Sequence, residues 1–371
     1  MDTDPARPSL ELVRSVTDEH VLRALMRHRR LTRAELSAQT GISKPTAGES
    51  VRRLQERGLV VDTGERTAGG RGKGRVGSYY ALSPRAGTAL AVSIAPGGIA
   101  AEIVDAYGDT LARASGVVGR PAAPPEVAAV LTAVAGAGRE QPDRPRLAVV
   151  SAADPVDRRT GRLVHLPDAP FLVGELDPVA VLGPHVAGPV VVDNDVNWAA
   201  RAEREHAGDD FAYLYLGEGL GCAIVGGGEV ARGRTGLAGE IAHLLTAGPR
   251  GHTTPFIEVF AGMGVRLPGS TAIDPAALLA ATAAPAPLAA ANRRLVGRAV
   301  AGVVAAIVAL ADPGLVVVGG AWGPALLDAI GAAVAEQARA VPLRKAEAKE
   351  PAHAGARQDA VERLRAAIVA G

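Results

Sequence analysis

Leu31-Thr32-Arg33-Ala34-Glu35-Leu36, followed by Thr40-Gly41-Ile42-Ser43-Lys44-Pro45-Thr46-Ala47, decides how the N-terminal part of the chain folds. Thr32 and Glu35 stand at the Ser/Thr-x-x-Glu spacing of a capping box, which satisfies the orphan N–H groups of a first helical turn. Gly41 ends that helix, and Ser43 with Pro45 supplies the cap and first turn of the next. Val51, Leu54 and Leu59 then face inward, and Gly58 closes the second helix. Upstream, Val16, Val21, Leu22, Leu25 and Met26 space out an amphipathic helix over 16–29. Two short helices joined by a tight turn, with a supporting helix before them, predict a helix-turn-helix.

Further along, Leu59-Val60-Val61 and Ser78-Tyr79-Tyr80-Ala81-Leu82 read as strands on either side of a basic, glycine-rich loop from Arg66 to Arg75. That is the layout of a wing, and a winged helix-turn-helix is assigned to 10–82. A flexible basic linker is the plainer alternative for the loop. The N-terminal end of a recognition helix reaches base edges, so Ser43, Lys44, Thr46, Ala47 and Ser50 are the expected base-facing residues. Arg52 and Arg53 fall to phosphate or surface contacts, and Arg71, Lys73 and Arg75 of the wing to the minor groove. Glu49 repels phosphate but has the chemistry to accept from cytosine N4.

Charge agrees with this division. The chain holds 40 basic and 39 acidic side chains, of which 15 and 10 lie in residues 1–82, so the first segment is basic and the remainder mildly acidic. Its 371 residues suffice for two or three domains, and with aromatics at 3% the core must be built from Ala, Val, Leu and Ile. One cysteine, Cys222, excludes an intrachain disulfide and a multi-thiolate zinc site. The longest apolar stretches, such as 299–311, fall short of a membrane span and no signal sequence opens the chain, which predicts a cytoplasmic protein without membrane contact.

From Thr88 onward strands alternate with helices. A three-strand meander over 90–111, a helix near 125–137 and further strands at 147–150, 190–193, 213–216, 223–225 and 315–320 predict an α/β domain in two lobes around a cleft. The run 283–287 reads as a loop, and 342–355 as irregular chain before a final helix from about Asp359. The domain is assigned to 83–371, with one lobe over about 83–190 plus the C-terminal helix and the other over about 191–345.

Four segments in this part resemble the ROK (repressor, open reading frame, kinase) family: Val192-Asp193-Asn194-Asp195-Val196-Asn197, Leu216-Gly217-Glu218-Gly219-Leu220-Gly221, Gly236-Leu237-Ala238-Gly239-Glu240-Ile241-Ala242-His243, and Val317-Val318-Gly319-Gly320. The resemblance implies an actin/hexokinase-like, ribonuclease H-like fold. It also implies sugar-contacting roles for Asn194, Asp195, Glu240, His243 and Glu258, with Asp195 at the position of the kinases' catalytic base. Carboxylates and amides suit paired sugar hydroxyls. Singly, however, Asp195 also reads as a helix cap, His243 as a core histidine and Glu240 as a surface carboxylate.

The departures matter as much. Where family kinases carry an Asp-x-Gly-Gly-Thr loop, the chain has Ser93-Ile94-Ala95-Pro96-Gly97-Gly98. Glu218 places a carboxylate in the second glycine-rich loop, where it repels phosphates. The zinc-binding cysteines are replaced by Pro249-Arg250-Gly251-His252-Thr253-Thr254, and the family's pocket asparagine by Asp168. The expectation is therefore a transcriptional regulator, a repressor rather than an enzyme, without cofactor or metal. It binds an operator in double-stranded DNA as a homo-oligomer and responds to a sugar or related small molecule. An active sugar kinase, a regulator with a non-sugar ligand and a pure oligomerisation domain remain the alternatives.

Overall fold

The computed structural model describes residues 10–67, 76–137, 143–166, 171–172, 174–283 and 287–371. Its N-terminal unit consists of the helices Leu10–His28, Arg33–Thr40 and Lys44–Glu56 and the strands Arg30–Thr32, Val60–Arg66 and Ser78–Leu82. Local chemistry accounts for the boundaries. Thr32 and Glu35 close a reciprocal capping box, Gly41 takes φ 72°, and Ser43 caps the recognition helix. Val60–Arg66 pairs antiparallel with Ser78–Leu82, and Arg30–Thr32 adds a third strand on the other edge. The basic loop itself, with Arg71, Lys73 and Arg75, lies outside the described residues.

Two five-stranded sheets build the rest, and both have the same plan. In the first, Thr110–Gly116, Gly98–Asp105 and Thr88–Ala95 form an antiparallel meander, and Leu147–Ala152 and Val190–Asn194 extend it in parallel. In the second, Glu229–Val230, Leu220–Gly226 and Phe211–Leu216 are antiparallel, and Val316–Gly319 and Leu343–Lys345 follow in parallel. The two-lobed domain is thus an internal duplication, the architecture that the family resemblance implies.

The C-terminal helix returns to the first lobe. It runs Pro351–Ala370, eight residues earlier than the expected start, and Leu343–Lys345 is a strand rather than irregular chain. Proline at N1 starts a helix as readily as it ends one, and the edge strand owes its existence to Val316–Gly319 beside it. Gly355 makes the helix fit, because a Cβ there would overlap the Trp198 carbonyl of helix Asp195–Ala207. Ala356, Ala360, Leu364 and Ile368 then join Trp198, Val21, Leu22, Leu25 and Leu54 in one apolar cluster. The helix-turn-helix unit and the two-lobed domain therefore share a core. Polar ties reinforce it: Tyr107 Oη donates to the Arg29 carbonyl at 3.0 Å and accepts from Leu82 N–H at 2.9 Å, and Arg29 pairs with Asp109.

Pro287–Ala311 corrects one expectation. At 25 residues it is long and apolar enough to span a bilayer, but half of its most apolar stretch is buried. Val296, Val300, Val303, Val304 and Ile307 sit in the second lobe's core, which makes it that lobe's central helix.

Candidate functional site

The recognition helix offers fewer base readers than its sequence implies. Ser43, Lys44, Thr46 and Glu49 are exposed at its N-terminal end. Ala47 and Ser50 are fully buried, and Ser50 Oγ donates to Asp18 Oδ1 at 2.6 Å, so both belong to the core face. Arg53 is also turned inward, against Asp18 at 2.6 Å. The error has a simple source, since every third or fourth residue of a packed helix faces its support. Arg52 is exposed and, among the described residues, pairs with Glu49 and Glu56 on its own helix, contacts that a phosphate could displace at little cost.

Between the lobes lies a cavity of about 340 Å³, toward the lower end of the roughly 300–1,000 Å³ of small-molecule sites. Its lining comes from the C-terminal ends of the strands: Asp154 after Leu147–Ala152, Asn194 and Asp195 after Val190–Asn194, Glu218 to Gly221 after Phe211–Leu216, and Ala321 after Val316–Gly319. That is where open α/β sheets hold ligands. Glu240 and His243 complete the wall from the loop after Glu229–Val230. Gly239 sets Glu240 in place: its φ is 98°, and its backbone lies so close to Cys222 that a Cβ would overlap the Cys222 carbonyl.

Asn194 is the helix cap. Its Oδ1 accepts from Val196 N–H at 3.0 Å, while Nδ2 donates to the carbonyls of Asp154 and Ala152 at 3.3 and 3.4 Å. It fastens two strand ends together, and Asp195 follows it as the first residue of the helix, in the cleft. Burial, together with Asp154 and Glu240, pushes the Asp195 carboxyl up to about 7, although the helix N–H groups pull the other way. Glu240 opens to solvent through the mouth of the cleft, but the surrounding walls and Asp154 push it up to about 7 as well. Asp154 is buried as well and is raised to about 6, chiefly by that burial.

One expected site residue falls elsewhere. Glu258 does not line the cavity: it pairs with Arg266 at 3.0 Å, whereas its neighbour Ile257 lines the wall. Successive helical residues point about 100° apart, so only one of the two faces inward. Asp168 lies outside the described residues. Asp154 is a further site residue, and its signal in the sequence is a carboxylate two residues after the fully buried strand Leu147–Ala152. At the mouth, Arg120 from the first lobe reaches Glu218 of the second at 3.0 Å and bonds the Pro96 carbonyl at 2.6 Å. The loop where the family carries cysteines closes through its backbone, with Gly248 N–H on the His252 carbonyl at 2.7 Å. Among the described residues no three His, Cys, Asp or Glu side chains are placed so that they could hold a metal ion.

A winged helix-turn-helix joined to an actin/hexokinase-like two-lobed domain is the class that this fold defines. Residues 90–363 match the ROK family and 14–61 a winged helix-turn-helix DNA-binding family. The chain belongs to the ROK family. A 153-residue stretch is 35% identical to the bifunctional enzyme NanE/NanK of Brucella suis, covering 39% of this chain and 28% of that one, so less than a third of the relative is represented. Among solved structures, a ROK family transcriptional regulator described as a homolog of the E. coli MLC protein superposes with TM-score 0.66 at 19% identity, over 97% of this chain and 100% of that one. The ROK hexokinase of Thermus thermophilus superposes with TM-score 0.56 at 26% identity, over 75% and 99%.

Proposed function

We propose that the chain is a DNA-binding transcriptional repressor whose kinase-derived cleft senses a sugar or related small molecule. One observation carries this reading: the helix that starts at Asp195 in the cleft packs against the C-terminal helix, which shares an apolar core with the helix-turn-helix. A ligand that repositions Asp195 against Glu240 thereby acts on the DNA-reading unit through contiguous packing rather than through a flexible linker. Ser43, Lys44, Thr46 and Arg52 face the DNA, and Arg71, Lys73 and Arg75 of the wing are assigned to the minor groove. A homodimer on a pseudo-palindromic operator supplies the specificity that one short helix lacks.

The hairpin that should hold phosphate and metal presents Pro96 and Gly97 to the cleft, and the second glycine-rich loop presents Glu218 already paired with Arg120. Phosphoryl transfer depends on neutralising phosphate charge, and a carboxylate at that point works against it. A sugar kinase is the second reading, favoured by Asp195, whose proton affinity near neutrality suits a general base.

The test is selection of genomic DNA with the purified protein, followed by titration of the complex with sugars and by ATP turnover over a hexose panel. Expected are an inverted-repeat site, a sugar that changes its occupancy, and no turnover above background. Glu240→Ala should keep ligand-free DNA affinity within about twofold and lose the sugar response. Turnover with a hexose would establish the kinase instead, and loss of DNA binding in Glu240→Ala would make that residue structural.

A further inference from the structure

Asp154 is the group in the cleft that sugar hydroxyls do not explain. It is 2% exposed and lines the cavity, and although the Leu172 N–H and the charge of His165 favour its ionised form, its Oδ2 has no hydrogen-bond partner among the described residues. Buried carboxylates elsewhere in the molecule are answered. Asp18 has Ser50 and Arg53, Asp193 has Arg232 and Asn197, and Glu203 takes the N–H groups of Glu347 and Ala348. A carboxylate oxygen buried without a donor is costly, and a protein keeps one where something else supplies the donor.

Asp195 and Glu240 share the cavity with Asp154, and its charge raises the proton affinity of both. Arg120, the one guanidinium among the described lining residues, is committed to Glu218 and the Pro96 carbonyl at the mouth. Tyr215 brings a phenol raised to about 12, which stays neutral and carries no compensating charge, and His243 stands at the exposed rim. A neutral hexose would bond these carboxylates and leave their repulsion intact. A primary ammonium brings three donors and the missing positive charge on one atom.

We propose that the cleft takes a sugar bearing a protonated amine, and that Asp154 is the residue that selects the ammonium. This rests on the cleft being a sugar site. Asp195 and Glu240 retain the ring hydroxyls, and Asp154, below them, meets the amine. The selectivity is electrostatic: acetylation of the amine removes both the charge and two donors, so the amide derivative loses the contact while keeping the ring.

The test titrates the full-length protein at neutral pH with glucosamine, mannosamine and galactosamine, each beside its N-acetyl derivative and its parent hexose, by calorimetry and thermal shift. At least one amino sugar should bind about tenfold or more tighter than both of its neutral counterparts, the scale of one close charge pair. Asp154→Asn keeps the shape and should bring that ratio below about threefold. Equal binding of amino and parent sugars, or a preference that survives Asp154→Asn, overturns the assignment while the sugar site stands. No binding of any of these sugars overturns both. If the asparagine variant does not fold, Asp154→Ser serves in its place, and the wild-type ratios decide the ligand class without either.

Discussion

Asp18 and Asp154 are both buried carboxylates, one in the helix-turn-helix and one in the cleft, and they are treated in opposite ways. Asp18 receives a hydroxyl from Ser50 and a guanidinium from Arg53, both at 2.6 Å, which ties the supporting helix to the recognition helix. Asp154 Oδ2 receives nothing among the described residues and stands beside two more acids. A fully partnered buried charge builds the fold. One left with an open oxygen is tolerated where the surrounding structure is strong enough to hold it for something that arrives later.

The contrast predicts opposite responses to the same kind of substitution. Asp18→Ala strips two donors of their acceptor and should destabilise the protein by about 2–3 kcal/mol in a denaturant titration. Thr32→Ala, which removes the capping box of the helix beside it, should cost about 1 kcal/mol in the same measurement. Asp154→Asn should go the other way and raise the thermal midpoint of ligand-free protein, because it removes a repelling charge. A midpoint lowered as much as that of Asp18→Ala would erase the distinction.

The smallest effect is the dependence on pH. Asp154 is raised to about 6, and Asp195 and Glu240 to about 7, from ordinary values near 4. Between those limits the folded protein holds more protons than the unfolded chain, so stability falls as pH rises from about 4 to about 7 and levels off above. The slope should be shallower in Asp154→Asn, which frees Asp195 and Glu240 from one source of repulsion. An unchanged slope would mean that the three groups do not act on one another.

How much of this was legible beforehand differs between the same two regions. In the helix-turn-helix, Thr32, Glu35, Gly41 and Ser43 do their work within a few residues of themselves, and the element boundaries fall where they predict. The errors there, Ala47, Ser50 and Arg53, concern which side of a helix meets its neighbour, and that is set by the supporting helix rather than by the helix itself. In the cleft, Asn194, Asp195, Glu240 and His243 were found by the family's spacing, and all four line one cavity. Asn194, however, spends its amide on the strand ends, Glu258 belongs to Arg266, and Asp154 was not found at all.

Sequence by itself determined the local elements, the winged helix-turn-helix and the family, because caps, periodicity and motifs are properties of neighbours along the chain. Tertiary structure alone decided the register of the two sheets, the core shared by the C-terminal helix and the helix-turn-helix, and the gathering of three acids around one cavity. Asp154, Asp195 and Glu240 are far apart in sequence and meet only when the ends of strands from both lobes converge. A charge learns its neighbours, and so its proton affinity and its ligand, only after that convergence.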